Sequence, residues 1–397
     1  MLQTWYKKFS SQPHQPFFTS GILFFILFMT LFIASYSNIL NLDSNVLLFH
    51  AYPMIFVIFI QFFLGFLFVV FPRFLIQAEI SLEKYMNQFI LYFISSFGIL
   101  ISLLLYSKIV FLFQIMMIIA QVLSFNLLYS IHKKSLVKVK EDTKWVLIAF
   151  STGLISHLLF IISNIDMNFS YLISKIAINS GFYLFLFMII FVISQRMIPF
   201  FTTAKAPNYQ INKSKNLLLI VYILLFIKVF LLSFDNAKLN LIADIPLFIV
   251  ITKELIKWKL PFFKVPAIMW VLYLGLYWIV FAFGLSIIEG LMAFISPSII
   301  FEKAVFHSIA IGYFLTLLVG FGTRVILGHS GRTPHANNFA IVIFIFIQIV
   351  AIFRVLSSFS LNFGFDYIFF INLTALLLVI GLIVWSSKYI TILLKGK

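Results

Sequence analysis

Twelve long apolar runs, separated by short basic connections, dictate how this 397-residue chain can fold. They lie at about 18–37, 50–72, 88–106, 109–131, 145–164, 171–195, 215–233, 239–256, 265–285, 305–327, 338–356 and 366–387. A helix rising about 1.5 Å per residue crosses roughly 30 Å of hydrocarbon in about 20 residues, so most of these runs are of spanning length. In that medium every backbone N–H and C=O must be satisfied within the protein, which selects α-helices. Composition agrees: 63% of residues are hydrophobic and 10% charged, against about 25% charged in soluble domains. The expected fold is an all-α integral membrane protein of about twelve transmembrane helices. It is read as one polytopic domain over residues 1–397, with the lipid bilayer as its first partner.

The net charge of +16 resembles a nucleic-acid signal until its distribution is followed. Lys108, Lys238, Lys303 and Arg354 fall on one side of the expected spans, and Lys175 and Lys228 fall within them. The remaining lysines and arginines fall on the other side, including the run Lys133, Lys134, Lys138, Lys140 and Lys144. By the positive-inside rule that side is cytoplasmic and holds both termini. The basic charge is therefore topological, and no nucleic-acid partner is expected. No basic n-region with a short apolar core and a small-residue cleavage site opens the chain, so no cleaved signal peptide is expected. Cysteine is absent, which excludes disulfides, thiolate metal sites and covalent c-type haem attachment. No Walker loop, nucleotide fingerprint, catalytic triad motif or zincin motif is present.

Chemistry concentrates between His307 and Arg332. His307 heads the tenth run and Arg324 closes it, roughly 25 Å apart along a helix. The cluster Gly328-His329-Ser330-Gly331-Arg332 follows, with two glycines suited to a tight turn and donors from Arg324, His329 and Arg332 for an anion. His50 heads the second run on the same expected side as His307. His157 lies about 18 Å along the fifth run, which places it in the same leaflet. Neutral imidazoles suit haem iron or copper, and for His157 a helix–helix hydrogen bond is the competing role. Runs two, six and ten end at Arg73, Arg196 and Arg324, 123 and 128 residues apart. Three tandem four-helix units would produce this spacing; selection for cytoplasmic arginines alone is the alternative. Arg196 could meet an anionic ligand or lipid phosphates, or simply snorkel to the interface.

Nine adjacent residues, Arg324-Val325-Ile326-Leu327-Gly328-His329-Ser330-Gly331-Arg332, following His307, closely resemble the closing motif of the NnrS family. These are haem- and copper-containing bacterial membrane proteins linked to nitric oxide. His50, Met54 and Gly65-Phe66-Leu67 match the family's second span, with Tyr52 and Pro53 standing where it has a second histidine and a glutamate. Gln195-Arg196-Met197-Ile198-Pro199-Phe200-Phe201-Thr202 resembles another family segment, with Gln195 in place of a glycine. Pro13-His14-Gln15-Pro16-Phe17-Phe18 resembles the family's opening segment without its arginine and reads as an interfacial anchor. In Trp270-Val271-Leu272-Tyr273-Leu274-Gly275 the family pattern has a histidine near Tyr273. The three four-helix units are similar to the scaffold of haem–copper oxidase cores, whose paired copper histidines this chain lacks.

The resemblance implies haem, with copper as a second candidate cofactor, nitric oxide or a related small ligand, and a bacterial inner membrane. It leaves enzymatic turnover and the redox partner open. His50 and His307 are the expected haem ligands, with His157, Arg196, Arg324, His329 and Arg332 as further cofactor-binding candidates. Two other classes compete: a secondary transporter, with Asp244, Glu289, Lys175 and Lys228 as coupling residues, and a membrane factor that handles haem. The topology is directly testable, since any introduced cysteine is unique. A cysteine replacing Lys138 should resist impermeant thiol reagents in intact cells and react after lysis; labelling in intact cells would invert the assignment.

Overall fold

The computed structural model describes residues 2–165 and 167–395, and all of its regular structure is helical among those residues. A short helix α1, Leu2–Phe9, precedes α2, His14–Tyr36. Then come α3, Leu47–Phe74; α4, Leu82–Leu105; α5, Ser107–Lys134; α6, Glu141–Ser163; and α7, Ser170–Thr203. The rest are α8, Leu217–Leu232; α9, Ala237–Trp258; α10, Ala267–Ile295; α11, Ala304–His329; α12, Asn338–Ser357; and α13, Tyr367–Lys395. Every expected apolar run is thus a helix.

Ten of these helices, among the described residues, are long and apolar enough to cross a membrane. Helices α8 and α9, also expected as spans, lie outside that count. Helix α8 has only 16 residues, and α9 carries Lys238, Asp244, Lys253, Glu254 and Lys257 within its 22. Two of these polar positions have a structural cause. Lys228 of α8 forms an ion pair with Asp244 of α9 at 2.6 Å, and Glu254 caps a neighbouring loop and the Trp258 indole. Polar residues satisfied inside the protein dilute the apolar signal that reports a span.

Three helices differ from the others in their turns. Helix α3 is π-helical over Leu47–Ala51 and Pro53–Ile58, α7 over Gly181–Phe187, and α11 over Ser308–Leu315. In α3 the cause is visible: Pro53 has no N–H to give to the preceding turn, so the regular i→i−4 ladder is interrupted there. The same three helices are the most enclosed. The apolar stretches of α3, α7 and α11 are 83, 89 and 72% buried, and no other span exceeds 61%. They are spans two, six and ten, so the period of four seen in Arg73, Arg196 and Arg324 recurs in backbone geometry and burial.

The helices pack as two compact units divided within α7, after Ile189. The first contains α1–α6, α7 up to Ile189, the short stretch His329–Gly331, and the end of α13 from Ser386. Here two widened turns meet. A Cβ on Gly181 of α7 would lie 2.7 Å from the Phe56 ring of α3, so only glycine permits this approach. Helix α2 opens with His14, which is 4% exposed. The segment around it is therefore packed inside the unit and is not an interfacial anchor. The second unit holds the rest of α7, α8–α12, α11 up to Gly328, and α13 up to Trp385. Its widened turn in α11 packs through Gly312, where a Cβ would meet the Trp278 ring at 2.2 Å.

Candidate functional site

In the first unit the polar chemistry gathers around His157, which is fully buried on α6. Gln121 of α5 donates its amide N–H to the Phe56 carbonyl at 2.8 Å. That carbonyl lies in the widened turn of α3. With its N–H so committed, Gln121 presents Oε1 to His157, and the His157 Nδ1–H donates to it at 2.8 Å. His157 Nε2 is then the acceptor for the Tyr52 hydroxyl at 2.9 Å. The tautomer follows from this chain of donors. Phe56 and Phe160 close the site: the Phe56 ring stacks on His157 at 4.7 Å, and Phe160 stacks on Tyr52 at 4.9 Å. In this arrangement both ring nitrogens of His157 are engaged, so coordination of a metal would require Tyr52 to release Nε2.

His50 lies one helical turn before Met54 in the other widened stretch of α3. It is partly exposed, and its ring packs on Phe32 of α2 at 4.5 Å. Phe32 also contacts Tyr36 and Phe49, so His50 sits against an aromatic group at the end of α2. Tyr52 and Pro53, the two departures from the family pattern, have definite structural consequences. Tyr52 becomes the donor to His157, and Pro53 interrupts the helix ladder.

The second unit contains His307. Its Nδ1–H donates to the Lys303 carbonyl at 3.0 Å, the tautomer that leaves the lone pair on Nε2. A polar ladder runs along the same helices toward their basic ends. The Tyr313 hydroxyl of α11 donates to Ser194 of α7 at 3.0 Å, since Ser194 gives its own hydrogen to the Ile190 carbonyl. Tyr273 of α10 donates to Thr202 at 2.7 Å, and Trp385 of α13 donates to Thr323 at 3.0 Å. Arg324 is not arranged as an anion clamp here: its guanidinium lies 3.7 Å over the Phe201 ring, with the Met269 sulfur at 4.0 Å. Arg196 is half-buried beside Gln195. Gln195, where the family pattern has glycine, accepts from Lys213 Nζ through both its side chain at 2.9 Å and its backbone at 3.2 Å.

The end of α11 is a helix cap. Gly331 has φ of +75°, and the Arg332 N–H returns to the Leu327 carbonyl at 3.1 Å, the long bond of a Schellman turn. Gly328 stays helical with nothing near its Cβ position, so only one of the two glycines makes the turn. Arg332 is exposed, and His329 faces the first unit's His14. A family model, described as NnrS protein, matches residues 8–397. The chain belongs to the NnrS family. No curated relative matches it closely. The match runs through both units, so the widened turns, the His157 network and the Schellman cap all lie within the NnrS region.

Sequence reasoning paired His157 with a helix contact but missed Gln121, the residue that orients it. The signal was present as a glutamine inside an otherwise apolar run, where an unpaired amide would be costly. Removing Gln121 strips partners from both the Phe56 carbonyl and His157, whereas removing the Tyr52 hydroxyl strips only one. Gln121→Leu should therefore destabilise the detergent-purified protein by about 1–3 kcal/mol, and Tyr52→Phe by about 0.5–1 kcal/mol. Thermal unfolding followed by circular dichroism reads the order; a larger loss for Tyr52→Phe would contradict the network.

Proposed function

We propose that this NnrS-family membrane protein binds haem and acts in the response to nitric oxide or nitrosative stress in a bacterial inner membrane. Family membership supports the class, and the histidine geometry supports the cofactor. The observation that carries the reading is the state of the ligand-type side chains in a chain without cysteine. His307 is held by the Lys303 carbonyl in the tautomer whose Nε2 lone pair suits haem iron, and His50 packs against aromatic rings at the head of α3. His157 is committed to Gln121 and Tyr52, which leaves His50 and His307 as the ligand candidates. Bound haem would supply an iron centre for a small diatomic ligand, while the surrounding phenylalanines exclude water. Arg324 lies roughly 25 Å along its helix from His307, beyond the propionates of a haem held there, and Arg196 likewise closes the far end of α7. Copper has weaker support, because no three His, Cys, Asp or Glu side chains are grouped for a metal among the described residues.

A second reading rests on a different observation. Lys228 and Asp244, both essentially unexposed, are paired at 2.6 Å, and Ser286 of α10 donates to the other Asp244 oxygen at 2.5 Å. Burying such a pair costs desolvation, and breaking it by removing one partner costs about 3–5 kcal/mol. A group of this kind in a membrane helix bundle is what a coupled transporter would use. The two readings separate optically. The haem reading predicts a Soret band stoichiometric with the purified protein, and loss of its low-spin features in both His50→Ala and His307→Ala. A colourless wild-type protein would favour transport, whereas full haem content and an unchanged spectrum in both variants would rule out His50 and His307 as the ligands.

A further inference from the structure

We propose that His14 and His329 form an exchangeable site for one first-row transition-metal ion, separate from the haem candidates. Their rings lie 4.9 Å apart, centroid to centroid, at an interplanar angle of 41°. An imidazole bound through nitrogen at about 2.0–2.1 Å places its ring centroid about 3.2 Å from the ion. Two such rings 4.9 Å apart subtend roughly 100° at a shared ion, between the tetrahedral and octahedral values. Ligands on opposite faces of a haem would need centroids about 6.4 Å apart, so this pair is not a haem's axial couple.

Two further observations point to a ligand. His14 is 4% exposed, yet its Nδ1 has no hydrogen-bond partner. Two residues upstream, the buried Oε1 of Gln12 also lacks a partner. Buried polar atoms in folded proteins are nearly always satisfied, and a cation would serve an unpaired ring nitrogen and an amide oxygen alike. His14 opens α2, and His329, half-buried, ends α11 beside the Schellman cap, so the site lies at the end of both helices. With only two imidazoles supplied, water completes the coordination, which makes the ion exchangeable. The chemistry suits zinc, cobalt, nickel or copper and excludes calcium and magnesium, which take oxygen ligands.

The full-length detergent-purified protein, stripped with chelator, is titrated with Zn2+ alone while its haem content is read separately. Wild type should bind one Zn2+ per chain, and His14→Gln and His329→Asn should each weaken binding at least tenfold with haem content unchanged. Pulsed EPR of Cu2+ bound in place of Zn2+ should count two imidazoles in wild type and one in His329→Asn. His329 lies at a half-buried helix end, so its variant decides the matter even if His14→Gln does not fold. Zinc binding within twofold of wild type in His329→Asn, or an unchanged imidazole count, would overturn the site. Because zinc and haem are read independently, failure of the haem reading leaves this result interpretable.

Discussion

Hydrocarbon offers no water to a backbone carbonyl, and the structure depends on how it meets that constraint. A regular helix meets it with i→i−4 bonds, and a widened turn with i→i−5 bonds. In α3 the Phe56 carbonyl, within the widened turn Pro53–Ile58, also accepts from Gln121 of α5. In α7 the Leu184 carbonyl, also in a widened turn, accepts from Thr152 of α6 at 3.0 Å. In α11 the Ile311 carbonyl accepts from Thr316 at 3.3 Å. Each widened turn thus carries an attachment point for a side chain. The most important consequence is His157, whose orientation is inherited from the carbonyl that Gln121 satisfies.

The same logic explains where charge is tolerated. Asp244 and Lys228 are buried together with Ser286, and neither is left to face lipid alone. Arg354 of α12, 7% exposed, donates to Ser358 one turn on at 2.7 Å. Arg324 spends its charge on the face of Phe201. These groups hold helices to one another within the second unit, which is why most of its polar residues have structural as well as functional readings.

Much of this was legible in the sequence because hydropathy and charge asymmetry act on long windows. The helices, their order and the special status of spans two, six and ten all follow from apolar runs and from Arg73, Arg196 and Arg324. What stayed hidden depends on contacts between distant segments. Apolar content alone does not reveal that Lys228 of α8 and Asp244 of α9 pair across those two helices. His14 looked like an interfacial residue because its neighbour His329 is 315 positions away. The cap at Gly331 was foreseeable, but Gly328 needed backbone geometry to be set aside. The widened turns left only faint traces, a proline in α3 and glycines in α7 and α11.

The central claim is that Gln121, bonded to the widened turn of α3, holds His157 in a hydrogen-bond relay that engages both ring nitrogens. Nitrogen-15 NMR of histidine-labelled protein, with His157 assigned by comparison with His157→Ala, tests it most directly. The account predicts a neutral ring with Nδ1 protonated and a hydrogen-bonded, unprotonated Nε2, unchanged when haem is added. A ring protonated on Nε2, a charged imidazolium, or a resonance that shifts on haem loading would contradict it.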